Sequence, residues 1–226
     1  MRSPLGKVKV LYDIDFLLQI SFGWQKIQQK LLPFFKKCRY LYLLTENKMM
    51  DKIAIFCSAS ENIEPVFFEK ARDVGVWMGQ NKKTLVYGGA NIGLMECIAK
   101  AAKDNGSMIM GVIPTKLEER GRASDLVDVT FRTDNLSDRK DVMLNESDVV
   151  IALPGGVGTL DEVFHVMAAA TLDYHRKKVI FYNINGFWNG IIDFLAGLER
   201  QHFAHHPLNS YFAVANDLRE LTELLK

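Results

Sequence analysis

The stretch Val149 to Glu162, VVIALPGGVGTLDE, decides how the whole chain is read. Its first five residues, Val149 to Leu153, have the length and β-branched content of a strand buried on both faces. Gly155, Gly156 and Gly158 follow, so the backbone can turn tightly and a ligand can come close without meeting a Cβ. Thr159 then opens a helix and offers a hydroxyl beside backbone N–H groups that lack helical partners. Those donors and the positive end of the helix dipole suit an anion, most naturally a phosphate. The plainer alternative is a glycine-rich turn with a threonine cap. Asp161 and Glu162 are expected in the first turn of the same helix. Acids there often only complement the dipole, yet beside an anion site they repel the ligand, which points to a chemical task.

Outward from this segment the pattern repeats. Strand-like apolar runs fall at Ile53–Cys57, Thr84–Tyr87, Met108–Ile113, Val127–Phe131 and Val179–Tyr182, besides Val149–Leu153. Helix-period segments lie near Pro65–Gln80, Leu94–Asn105, Ser137–Glu146, Thr159–Leu172 and Trp188–Arg200, with a last helix at Asp217–Leu225. Short continuous strands alternating with helices predict an α/β fold: a Rossmann-like, doubly wound parallel sheet with helices on both faces, as a single domain over residues 50–226. In such a sheet, ligands bind at the carboxyl ends of the strands.

Residues 1–49 read differently. They carry nine Lys/Arg and three Asp/Glu, against nineteen and twenty-four in the rest, although the whole chain of 226 residues has a net charge of only +1. Phe16 to Leu44 has the composition of a basic amphipathic helix. The alternatives are a loosely ordered extension, or sequence upstream of a true start at Met49–Met50. The near-neutral balance gives no reason to expect nucleic acid or a membrane as partner. Three widely spaced cysteines (Cys38, Cys57 and Cys97) without metal-ligand spacing read as reduced thiols in a cytoplasmic protein.

Two further loops draw notice. YGGANIGLM, Tyr87 to Met95, is again a strand, a glycine turn and a helix start, but its glycines at 88, 89 and 93 do not match GxGxxG, which disfavours a dinucleotide site. It reads either as a second backbone surface against a nucleotide or as simple helix–strand packing. Asp138-Arg139-Lys140-Asp141 opens the helix before the PGGVGT strand, where Arg139 and Lys140 have the charge to contact a phosphate or to fix a carboxylate such as Glu162. His202, His205 and His206 read as surface histidines in a loop, not as metal ligands. Neither a GxSxG elbow nor a GxxxxGK[ST] loop is present.

PGGVGTLDE fits the PGGxGTxxE signature, and the chain thereby resembles the LONELY GUY group of cytokinin riboside 5′-monophosphate phosphoribohydrolases, some of whose relatives were once labelled lysine decarboxylases. Arg139-Lys140 is similar to that group's Arg-Lys pair, Gly88-Gly89 with Gly93-Leu94-Met95 to its GG…GLM loop, and Phe56 to Ser60 (FCSAS) to its first-strand loop. The likeness runs from Lys52 to Leu198. It implies Arg139 and Glu162 as the catalytic pair. Lys140, Gly155, Gly156, Val157, Gly158, Thr159, Asp161, Gly88, Gly89 and Ser58 would then surround the nucleotide. It also implies hydrolysis of the N-glycosidic bond of a nucleoside 5′-monophosphate, AMP or a cytokinin ribotide, by a homodimer or higher homo-oligomer with neither a metal nor an organic cofactor.

Residue chemistry agrees with that implication. Breaking a bond at an anomeric carbon builds positive charge on the sugar, which a carboxylate at 162 stabilises while activating water. Ala90, Glu96, Ser58-Ala59 and Ala168-Ala169 depart from the group's pattern, and all are expected to bear on the base pocket. A non-catalytic nucleotide-binding or carrier protein on the same fold remains the alternative, since glycine loops alone serve binding.

Overall fold

The computed structural model describes residues 50–204 and 206–226, so the N-terminal extension and His205 lie outside the described residues. Seven strands form one sheet: β1 (Lys52–Phe56), β2 (Thr84–Tyr87), β3 (Ile109–Pro114), β4 (Val129–Thr133), β5 (Val149–Ala152), β6 (Val179–Tyr182) and β7 (Phe212–Ala215). Their order is β4-β3-β2-β1-β5-β6-β7, with every pair parallel. The helices are α1 (Pro65–Gln80), α2 (Gly93–Asp104), the short α3 (Thr115–Glu118), α4 (Leu136–Asn145), α5 (Val157–Thr171), α6 (Asn189–Arg200) and α7 (Leu218–Leu224). The doubly wound architecture expected from the alternating pattern is the one observed.

Alternation along each strand divides the core in two, because successive side chains point to opposite faces. Ile53 and Ile55 pack with Ala71, Val74 and Met78 of α1, Leu94 and Ile98 of α2 and Leu221 of α7. Ala54 and Phe56 pack on the other face with Met143 and Leu144 of α4, Val163, Val166 and Met167 of α5 and Leu195 of α6. Both faces being covered explains why β1 and β5 read as unbroken apolar runs. Fully burying each such aliphatic side chain contributes roughly 1.5–3 kcal/mol.

The sequence reading missed β7. Phe212–Ala215 is a four-residue edge strand, its first three residues only half-buried, and a run that short has too little apolar periodicity to stand out.

The chain leaves β1 in one direction to build β2, β3 and β4, then returns through α4 to place β5 on the other side of β1. Loops after β1 and β5 therefore part in opposite directions and open a crevice at their carboxyl ends. Ser58 N–H donates to the Pro154 carbonyl at 3.1 Å, tying the two loops at the base of that crevice. Leu94 N–H in turn donates to the Ser58 carbonyl at 3.0 Å, seating the start of α2 on the loop after β1.

Gly93 makes that seating possible. Its φ is +61°, and a Cβ there would stand 2.5 Å from the Ala59 carbonyl carbon. Gly93→Ala is expected to lower stability by about 1–3 kcal/mol through left-handed strain, with the clash adding to it. Urea unfolding of both proteins measures this; an unchanged midpoint would refute the close-packing account.

Candidate functional site

Arg139 on α4 reaches across to Glu162 on α5, its Nη1 donating to Oε1 at 2.6 Å. The two side chains are only 12% and 10% exposed, so the pair is enclosed by protein. Arg139 is fixed by more than its partner. Its Nε donates to the Val112 carbonyl of β3 at 3.2 Å, and its guanidinium lies against Gly88 so closely that any Cβ at 88 would overlap Nη2. Met95 of α2 touches the same spot, its sulfur 3.2 Å from where that Cβ would be. Gly88 is thus needed for the close approach of an arginine, a use the sequence reading did not foresee.

Burial raises the Glu162 carboxyl above the ordinary carboxylate range, the Asp161 charge adds to this, and Arg139 and Lys140 pull it back. An acid so poised serves as a proton acceptor nearer neutral pH than a surface glutamate. Cys57, the residue after β1, is buried beside the pair, and burial together with the Glu162 charge pushes its thiol well up. It is therefore held in the unreactive thiol form.

Helix α5 begins at Val157, with Gly156 as its N-cap residue. That is two residues earlier than expected and carries a correction: Asp161 and Glu162 lie in the second turn, not the first, so complementing the dipole is not their role. Thr159 is 97% covered and its hydroxyl folds back over Gly155, where a Cβ would overlap it. Gly156 and Gly158, by contrast, face open space, and Val157 is 83% exposed. The open part of the turn is thus its backbone, in keeping with anion capture by N–H groups.

Lys140 Nζ donates to both Asp161 oxygens, at 2.8 and 2.9 Å. Ser58 uses its hydroxyl as an acceptor for Ser60 N–H at 2.9 Å and stands in the crevice through the backbone bonds above. Gly89, at φ +72°, packs on Ile113 rather than facing the pair. The expected site residues are thereby brought to one end of the sheet, around β1, β2 and β5. Ala168 and Ala169 are not. They sit nearly two turns further along α5, lining a groove of about 540 Å³ with Leu144, His165 and Tyr174. Glu96 sits in the first turn of α2 beside Tyr87, whose hydroxyl is pushed up to about 12 chiefly by burial.

Sequence reading also missed a contact: His165 Nε2 lies 3.0 Å from Asp141 Oδ1. The i, i+3 spacing of His165 from Glu162 was the available signal. Among the described residues, no helix is long and apolar enough to cross a membrane.

A family described as possible lysine decarboxylase matches residues 95–225. A probable cytokinin riboside 5′-monophosphate phosphoribohydrolase of Oryza sativa subsp. japonica is 31% identical over 77% of this chain and 72% of its own. A cytokinin riboside 5′-monophosphate phosphoribohydrolase of Arabidopsis thaliana is 31% identical over 77% of this chain and 81% of its own. Among solved structures, a molybdenum cofactor binding protein from the phototrophic bacterium Rippkaea orientalis has a TM-score of 0.60 at 23% identity, covering 78% of this chain and 95% of that one. The Moco carrier protein from Chlamydomonas reinhardtii has a TM-score of 0.59 at 22% identity, with the same coverage. At these identities the structural likeness carries the fold alone.

The pair's electrostatics give a signed expectation. Arg139 lowers the Glu162 carboxyl against the effect of burial, so Arg139→Gln must let it rise further. Carboxyl 13C NMR titration of the folded variant should show the Glu162 midpoint above that of the parent; a lower midpoint contradicts the described geometry.

Proposed function

This chain belongs to the LONELY GUY family, and on that premise we propose that it hydrolyses the N-glycosidic bond of a nucleoside 5′-monophosphate. AMP or a cytokinin riboside monophosphate is the substrate, and free base and ribose 5-phosphate are the products. One observation above all supports the reading: a buried Arg–Glu pair stands beside an open glycine turn at a helix N-terminus. A binding loop alone has no use for the buried carboxylate, whereas cleavage at an anomeric carbon does.

In this proposal the 5′-phosphate is held by backbone N–H groups from Gly156 to Thr159. Lys140 is near enough to leave Asp161 and add its charge. The phosphate anchors the ribose, and that binding energy is spent on orienting C1′ against Glu162. As the C1′–N bond stretches, its electron pair moves onto the base and positive charge grows on the ribose ring. Glu162 stabilises that charge and takes a proton from the attacking water, whose oxygen bonds to C1′. The departing base takes up a proton. Arg139, seated against the Gly88 backbone, keeps Glu162 ionised and in place; Ser58 borders the crevice beside the sugar, and Gly89, packed on Ile113, shapes the turn that lets Gly88 approach. No metal or organic cofactor enters the scheme.

The family likeness also supports a homodimer or higher oligomer, and the exposed side chains of Leu172, Tyr174 and Phe203 supply apolar surface for one. Sedimentation of the full chain as a monomer at assay concentration would remove that part.

The decisive assay is chromatography for released base from AMP, GMP, IMP and isopentenyl-AMP. AMP is expected to yield adenine and ribose 5-phosphate, and Glu162→Gln should lower the rate by about 10²–10⁴-fold. Nucleotide binding without turnover, unchanged by Glu162→Gln, would favour a carrier on the same fold.

A further inference from the structure

Three consecutive residues of α4 reach α5. Arg139 meets Glu162 at 2.6 Å, Lys140 meets Asp161 at 2.8 Å, and Asp141 meets His165 at 3.0 Å. In the first two contacts the cation comes from α4; in the third it comes from α5, and only when His165 is protonated. On α5 the three partners occupy neighbouring positions of one helix side, since His165 follows Asp161 by four residues and Glu162 by three.

Apart from the Arg139 ties to Glu162 and Val112 and the Lys140–Asp161 pair, the first half of α4 buries no residue. The helix's buried residues are Met143 and Leu144 only, both in the second half. Leu136, at its start, is 61% exposed. The N-terminal turn is fixed internally, by Asn135 Oδ1 accepting from Ser137 and Asp138 N–H, which fastens it to nothing beyond itself. Lys177, in the loop after α5, donates its Nζ to the Leu144 carbonyl at the far end of α4. Between that far tie and Arg139, the helix pair is joined by Lys140–Asp161 and, one residue further on, by Asp141–His165. A misplacement of Arg139 by a fraction of a helical turn would separate it from Glu162.

We infer that Asp141 and His165 form a positioning pair that sets the distance between α4 and α5 and thereby holds Arg139 on Glu162. This rests on the reading of Arg139–Glu162 as the reacting pair, and it adds residues that the family signature does not include. His165 is faced by Asp141 of α4, by Asp161 and Glu162 of its own helix, and by His175 and Lys177 of the following loop. Its ring is 25% exposed, and its buried Nε2 makes no hydrogen bond but stands 3.0 Å from the Asp141 carboxylate. Asp141 is 60% exposed and accessible to substitution without opening the core.

The test is a set of variants in the full chain: His165→Ala, His165→Lys, Asp141→Ala and the charge-exchanged Asp141→Lys/His165→Asp. Hydrolysis of AMP is followed as kcat and KM separately, and the Glu162 carboxyl is titrated by 13C NMR in each protein. His165→Ala and Asp141→Ala should each lower kcat by roughly 10- to 100-fold with KM little changed, the scale of an ångström-sized misplacement. Both should also move the Glu162 midpoint upward as Arg139 withdraws. His165→Lys and the exchanged pair should restore kcat and return the midpoint towards the parent value. Failure of the Lys and exchanged variants to recover what the Ala variants lose would overturn the inference, as would Ala variants with parental kcat and midpoint. If no nucleotide is hydrolysed at all, the NMR midpoints still decide the positioning role, so the two readings fail separately.

Discussion

The carboxylate of Glu162 and the guanidinium of Arg139, 2.6 Å apart and largely withdrawn from solvent, impose the constraint to which the neighbouring structure conforms. Removing two charges from solvent costs about as much as their attraction returns, so the pair adds little to stability by itself. Much around it serves to keep it there. Val112 supplies a carbonyl for Nε, and Gly88 gives up its side chain so that the guanidinium can lie on the backbone. Met95 closes the same side, and Glu162 rises from a helix whose start is set by the turn that would receive a phosphate. The glycine turn and the Glu162 carboxylate are consequently carried on one helix, less than two turns apart.

The sheet topology explains why these pieces come together. β1 and β5 are the strands at which the winding direction reverses, and the turn from Leu153 to Thr159 emerges beside the loop at Cys57 to Ser60. The α4 crossover then carries Arg139 past the end of β3 and towards α5. Residues distant in sequence meet because parallel connections return every loop of interest to the same edge.

Much of this was legible in the chain itself. VVIAL and KIAIF announce strands covered on both faces, and the PGGVGT turn announces the glycine bend from which α5 starts. What escaped was where local pattern is weak or silent. β7 is short and lies at an edge. The start of α5 lies two residues earlier than expected because Val157 and Gly158 are poor helix signals, although both are helical in the structure. Gly88's role depends on an arginine fifty-one residues away, and Asp141–His165 depends on how two helices lie side by side. Neither distance nor approach is encoded in any local window.

One further consequence follows from the strand order. β1 is paired on one side with β2, which is near in sequence, and on the other with β5, whose Val149 stands opposite Ile53. The backbone N–H groups of Asp51 and Lys52 are bound by Asp148, almost a hundred residues later. During synthesis the first half-sheet can assemble early, but its central strand has an open edge until β5 emerges. Long-range closures of this kind are slow steps in folding. The Arg139–Glu162 pair forms only once α5 has been made, after β5 has closed the open edge of β1 and before β6 and β7 extend the sheet.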